Sequence, residues 1–427
     1  MQLTSISLTL LLLSTTPFAQ DDWPQFQGPN VTAKVEAVAS SFDWGETGPE
    51  VLWRTDVGPG FGGPSVRDGK VYLLDREVGV LDYLRVIDLA SGEDEWDVSY
   101  EAPGRLQYQG SRTVPAVTDT HVVCVGGLGQ VTAVSLEEQD IAWTAHLEED
   151  YGGLMPMFGW SCSPVIVDDL VIVTALGEDV GLVAFDLATG EERWVTETVG
   201  HSHSTPALLT LKGKEQLVFL STMYPTSGRD QAAPTTISSF DPQDGTLLWR
   251  DETLLTRLPI PPPIQVDDEH FFVTGGYRGG STLLSVGDGG VEEVWHVERG
   301  AQVHAPILFE DHFYVIVNEN WNHPRNRKEE GGLACYSKDG KEVWRTKADP
   351  FFGRGNMFLA GDKLVIQDGE NGILRIVPAT PEGFSIVAES NVFEITDRRD
   401  HEMWAPMALS GGRLLLRSQE ELICVKL

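Results

Sequence analysis

Apolar positions along this chain come in short runs of strand length, such as residues 71–74 (VYLL), 170–174 (LVIVT) and 313–317 (FYVIV). Gly, Pro, Asp and Ser interrupt them, and many runs alternate apolar with polar residues. That is the pattern of half-buried strands joined by tight turns. Amphipathic stretches of helical length are absent, so the pattern predicts an all-β protein. The runs recur in a fixed order. A strand opens on a proline, a turn such as residues 67–69 (RDG) leads to a second strand, and a third strand runs into a turn that ends on tryptophan.

The tryptophans set the period. Trp53, Trp96, Trp143, Trp194, Trp249, Trp295 and Trp344 are separated by 43, 47, 51, 55, 46 and 49 residues, a spacing suited to four-stranded propeller blades. Three of them close one phrase: IDLASGEDEW (87–96), FDLATGEERW (185–194) and FDPQDGTLLW (240–249), with Asp eight and Gly four residues before Trp. Asp and Ser or Thr build the turn, Gly takes the positive φ, and Trp is free to pack between neighbouring sheets. Asp88, Asp186 and Asp241 are therefore turn-builders. The proline phrase appears as GGPSV (62–66), TVPAV (113–117), CSPVI (162–166), STPAL (204–208), PPPIQ (261–265), HAPIL (304–308) and WAPMA (404–408), with GNMFL (355–359) in the remaining unit. Proline is tolerated at the start of an edge strand, which the innermost strand of a blade is. The count predicts an eight-bladed β-propeller of four-stranded antiparallel blades. The final unit has only three strands before Leu427, and residues 50–55 (EVLWRT), carrying the otherwise unpartnered Trp53, are expected to supply the fourth and close the ring.

These phrases resemble the repeats of the pyrroloquinoline-quinone-type (PQQ-like) propeller family, residues 175–194 (ALGEDVGLVAFDLATGEERW) most of all. The resemblance covers about residues 49–427. The leader DDWPQFQGPN (21–30) is similar to the Trp-Pro-x-Phe-x-Gly-Pro-Asn opening of exported bacterial members. It implies a single propeller domain at 49–427, preceded by an N-terminal extension at 20–48.

Residues 6–13 (ISLTLLLL) form an apolar run too short to span a bilayer, and are expected to belong to a secretion signal at 1–19. The mature protein is then periplasmic or extracellular, with no transmembrane segment, and a monomer. The net charge of −33 makes the surface acidic and excludes nucleic acid as a partner. Cys124, Cys162, Cys335 and Cys424 lack CxxC spacing and are expected as buried thiols, with a disulfide between Cys124 and Cys162 as the alternative.

In a blade of strands A to D, the B–C and D–A connections leave on one face and the A–B and C–D turns on the other. The long connections, at 101–110, 148–159, 223–235 and 319–331, all belong to the first kind, which makes that face the site candidate. Around its mouth, ahead of the A strands, the sequence places Arg112, Trp160, Ser161, His203, His304, Arg354, Glu402 and Trp404. The B–C loops add Tyr224, Arg229, Trp321, His323 and Arg325. Arg forks suit carboxylate or phosphate, and Trp faces suit flat or sugar-like ligands. The alternative is that these residues order the loops. His201, His203, His304 and His401 do not amount to a metal site, and Asp400 with Glu402 does not make a catalytic pair.

The family resemblance implies two functions. Its non-enzymatic members include a lipoprotein of the outer-membrane β-barrel assembly machinery, whose lipid-bearing cysteine this chain lacks. Its dehydrogenases clamp PQQ between a Trp floor and a vicinal disulfide over calcium, and no adjacent cysteines occur here. The expected function is an exported, non-catalytic scaffold that binds a protein, polymer or small ligand on the long-loop face and needs no cofactor. A PQQ-dependent oxidoreductase is the alternative.

Overall fold

A computed structural model of the chain describes residues 22–36, 42, 44–222, 234–256, 258–287, 289–318, 327–393 and 402–427. Eight antiparallel sheets follow one another along the sequence. Blade 1 runs from Ser65–Arg67 to Asp94–Glu101, blade 2 from Ala116–Val117 to Asp140–His146, and blade 3 from Val165–Val167 to Glu192–Val195. Blade 4 spans Ala207–Leu211 to Leu247–Leu254, blade 5 Ile264–Gln265 to Gly290–Val297, and blade 6 Ile307–Phe309 to Glu342–Arg345. Blade 7 spans Asn356–Ala360 to Ala388–Ser390. Blade 8 takes Ala408–Ser410, Arg413–Arg417 and Glu421–Lys426 from the C-terminus and Val51–Asp56 from the N-terminal side. The closing strand pairs Trp53 with Cys424 and Arg54 with Ile423, so the first and last parts of the chain share one sheet.

First strands of adjacent blades touch one another, which places them at the axis. Apolar side chains from facing sheets fill the space between blades: Tyr72, Leu74, Leu84 and Val86 of blade 1 meet Val117, Val122, Cys124 and Val134 of blade 2. Phe272 and Phe313 stack with ring centroids 4.4 Å apart between blades 5 and 6. All four cysteines are buried and free.

The turn-plus-tryptophan phrase works between blades. Trp53 donates its indole N–H to Leu89 O at 3.0 Å, Trp143 to Leu187 O at 2.9 Å, and Trp295 to Lys338 O at 2.9 Å. Each acceptor belongs to the C–D turn of the next blade. The ring then lies on that turn's glycine: a Cβ at Gly92 would sit 2.5 Å from Trp53, and one at Gly190 2.6 Å from Trp143. Positive φ and this close approach both require glycine. Blade 2 has no glycine at its turn, Gln139 taking φ 53° instead, and the Trp96 indole N–H that would reach it is unbonded.

The N-terminal segment is part of the ring. Trp23 exchanges backbone hydrogen bonds with Val66 (2.9 and 2.8 Å), Pro24 O accepts from Val117 N–H at 2.8 Å, and Lys34–Val35 pairs in parallel with Asn356–Ala360. Residues 22–35 thus lie on the inner strands of blades 7, 1 and 2, near their A–B turns. Trp23 is 3% exposed and meets Phe358 edge to face at 5.4 Å. No helix among the described residues is long and apolar enough to cross a membrane.

Candidate functional site

The connections that enter the A strands meet on the face opposite the N-terminal segment. Two of them are bound together: Phe61 N–H and Gly62 N–H donate to Ser111 O at 2.7 and 3.0 Å. A Cβ at Gly110 would lie 1.7 Å from Pro59 O, so only glycine allows the connections of blades 1 and 2 to approach this closely. The approach fixes Phe61 beside Arg112, whose guanidinium carbon lies 5.9 Å from the Phe61 ring centroid.

From there an arc of rings crosses successive connections. Trp404 lies 5.1 Å from Phe61 and 5.8 Å from Tyr108, Tyr108 meets Phe158 at 5.6 Å, and Phe158 meets His203 at 5.4 Å. At the other end, the Arg354 guanidinium sits 4.5 Å from the Trp404 ring centroid, a cation–π contact. Phe61, Tyr108, Phe158, Trp404, Arg112 and Arg354 all remain partly exposed. The contacting rings are inclined by 33° to 85°, so the arc presents faces and edges rather than a parallel slot.

Electrostatics sets Arg112 apart. Its Nη1 donates to Gly110 O at 2.8 Å and its Nη2 to Tyr108 O, and it pairs with no carboxylate among the described residues. Burial, reinforced by the Arg76 charge, lowers its pKa to about 10. In a chain of net charge −33, a half-sheltered cation without a counterion is a local exception.

The two histidines are neutral. His203 is 7% exposed and holds Ser161 Oγ at 2.8 Å from Nδ1. Burial, with the Arg112 and His201 charges adding to it, lowers its pKa to about 3. His304 Nδ1 lies 2.9 Å from Asn356 Nδ2, and burial lowers its pKa to about 4, partly offset by the nearby Trp404 backbone.

Among the residues expected at the mouth, the structure thus joins Arg354, Trp404, Arg112 and His203 through Phe61, Tyr108 and Phe158. His304 is set to one side with Gln302, whose Oε1 accepts from Arg354 Nε at 3.0 Å. Glu402 enters through its backbone, its carbonyl accepting from Gln419 Nε2 at 3.1 Å. Trp160, expected at the mouth, is 1% exposed and packs over Gly129 in the core between blades 2 and 3. Arg229 and Trp321, with Tyr224, His323, Arg325 and His401, lie outside the described residues. Among the described residues no three His, Cys, Asp or Glu side chains gather as a metal site. Sequence reasoning missed Phe61, Tyr108 and Phe158. Their shared signal was an aromatic residue one or two positions before a glycine, shortly ahead of each proline phrase.

A family model described as outer membrane protein assembly factor BamB matches residues 80–229 and 233–382. No match was found among curated protein sequences. Among solved structures, BamB from Moraxella catarrhalis is 12% identical with a TM-score of 0.57, over 88% of this chain and 97% of that one. A europium-containing methanol dehydrogenase is 12% identical with a TM-score of 0.65, over 93% and 90%. The quinohemoprotein alcohol dehydrogenase from Comamonas testosteroni is 11% identical with a TM-score of 0.63, over 95% and 80%. At these identities the likeness is one of fold, and the fold is shared by an assembly factor and by dehydrogenases.

Proposed function

Since the chain belongs to the PQQ-like repeat family described as outer membrane protein assembly factor BamB, we propose that it is a non-catalytic propeller scaffold, exported and monomeric, that captures a partner on its long-loop face. One observation carries the reading: Arg112, paired with no carboxylate among the described residues, beside an arc of partly exposed aromatic rings that ends in Arg354 on Trp404. Aromatic and arginine side chains are the usual anchors of protein interfaces, and the same groups suit an anionic polymer or small ligand. The apolar run at 6–13 supports export, and the acidic surface argues against nucleic acid. Against the quinoprotein alternative stand the missing adjacent cysteines and the inclined rings, which offer neither lid nor parallel floor for a flat quinone.

The test places a photo-crosslinking residue at Tyr108, on the mouth, or at Lys341, on a C–D turn of the opposite face, in the native host. Adducts are expected from Tyr108 only, and should disappear when Arg112→Ala and Arg354→Ala are combined in a protein of unchanged melting temperature. Equal labelling from both positions refutes the reading. Retention of quinone through gel filtration, with quinone-dependent dye reduction by simple alcohols or sugars, would install the alternative.

A further inference from the structure

Two neighbouring connections depart from the charge of the rest of the chain. Residues 102–118, from blade 1 into blade 2, and residues 151–166, from blade 2 into blade 3, contain Arg105 and Arg112 and no acidic residue. The chain as a whole has a net charge of −33. Arg105 is exposed. Arg112 spends two of its N–H donors on Gly110 O and Tyr108 O, which leaves about three of the five that a guanidinium carries. The two connections cross beside it. Gly127 O accepts the Trp160 N–H at 3.1 Å, and a Cβ at Gly127 would lie 3.4 Å from Arg112 Nη1, so the guanidinium stands against this crossing.

The second connection carries an apolar tip. Leu154, Met155 and Met157 are 42%, 51% and 62% exposed, while Phe158 packs inward on Tyr108 and His203. The tip is held by its backbone: the Gly153 N–H donates to Leu147 O, and the Gly159 N–H closes a turn on Pro156 O, both at 2.8 Å. Exposed apolar residues such as Val195, Val294 and Val343 stand singly on the outer strands of their blades, which is ordinary. Large apolar side chains gathered on one fixed tip, beside a cation with no carboxylate among the described residues, instead mark an interaction site. Methionine's flexible thioether suits an apolar partner surface of irregular shape.

The charged and apolar halves together select the occupant. A guanidinium with donors to spare is matched by a carboxylate. An anionic polymer would bring its further charges against the surrounding acidic surface, whereas a single carboxylate among apolar groups would not. We propose that these two connections dock a segment of a second protein in which one Asp or Glu is flanked by large apolar side chains. The carboxylate rests on Arg112 and its apolar neighbours on Leu154, Met155 and Met157. This deepens the scaffold reading and rests on it, naming a protein rather than a polymer or small ligand as the partner.

The full chain, immobilised and used to select from a displayed library of random short peptides, tests the proposal. Peptides with Asp or Glu between Leu, Ile, Phe or Met should be enriched. A synthetic copy of the leading peptide should weaken about tenfold or more when its acid becomes the amide, and again when Arg112→Gln replaces the wild type. Arg112 also braces Tyr108 and Gly110, so a second variant is needed. Met155→Ser with Met157→Ser changes only exposed side chains, and should keep the melting temperature while weakening the peptide about tenfold or more. No enrichment, enrichment of basic or uncharged sequences, or unchanged affinity in the double methionine variant would each overturn the proposal. Arg112-dependent binding of polygalacturonate, with no acidic peptide enriched, would assign the site to an anionic polymer instead. Adducts at Tyr108 without acidic peptides would defeat this partner class alone. Arg112-dependent peptides without adducts would instead defeat the scaffold reading.

Discussion

Asp75 and Arg417 meet at 3.3 Å in the sealed seam where the last blade adjoins the first, and neither side chain is exposed. Arg417 also donates to Gly62 O at 2.7 Å and Gly58 O at 3.1 Å, while the other Asp75 oxygen accepts from the Gly58 N–H at 3.0 Å and from Arg85 at 3.4 Å. One carboxylate therefore balances two guanidinium groups across the closure. Asp75→Ala should destabilise the protein by about 3–5 kcal/mol in urea unfolding, since it leaves the buried Arg417 cation without a carboxylate, while Arg85 keeps Asp94 at 2.9 Å. Combining Asp75→Leu with Arg417→Met should recover much of that loss. A cost below about 1 kcal/mol for the single change would show that the seam is held by its strands alone.

The stacked glycines and the open ones should respond differently to the same added methyl. Gly69 and Gly190 share φ near 73°, but nothing lies near a Cβ at Gly69 while the Trp143 ring blocks one at Gly190. Gly69→Ala should cost about 1–2 kcal/mol from the backbone alone, and Gly190→Ala a further 1–3 kcal/mol from displacing the indole. Equal melting temperatures for the two variants would remove the ring contact from the account.

Much of this architecture is legible in the sequence alone. The tryptophan that closes one blade packs on the phrase glycine of the next, Trp53 on Gly92, Trp143 on Gly190, Trp194 on Gly245 and Trp295 on Gly340, and repetition made the phrase visible. Trp53 could be assigned to the last blade because it lacked a repeat of its own. The mouth was harder. Phe61, Tyr108 and Phe158 stand at unequal distances from their prolines, because connections of different length deliver them to one arc. Trp160 occupies a rim position in the sequence, yet its ring packs over Gly129 in the core, a placement no spacing signals. Residues 22–36 have no periodicity at all, since they join three blades by isolated bonds.

That segment carries its own expectation. Trp23→Ala should cost about 3–5 kcal/mol, the usual price of truncating a buried tryptophan. A chain starting after residue 48 keeps the closing strand and should elute without aggregates, as the longer chain does, but melt earlier. One starting after residue 56 exposes the edge of Glu421–Lys426 and should aggregate during size-exclusion chromatography. Identical behaviour of both truncations would detach the closing strand from ring integrity.

Acid should loosen the protein before its carboxylates titrate. His203 has its pKa lowered to about 3, below the ordinary 6.5, so the unfolded chain binds this proton more readily than the folded one. The contribution is full above pH 6.5 and is lost as pH falls from there toward 3, on the order of 5 kcal/mol over the whole span. Melting temperature should already decline between pH 6.5 and 5, and His203→Gln should flatten that limb. A parallel decline in the variant would assign the effect to other groups.

The order of manufacture follows from the shared sheet of blade 8. Val51–Asp56 leaves the ribosome long before Glu421–Lys426, yet each is the other's neighbour. Lys34–Val35 likewise has to await Asn356–Ala360. The Val51–Asp56 segment is thus obliged to stay unpaired and harmless while seven blades are produced, and Glu421–Lys426 is what releases it from waiting.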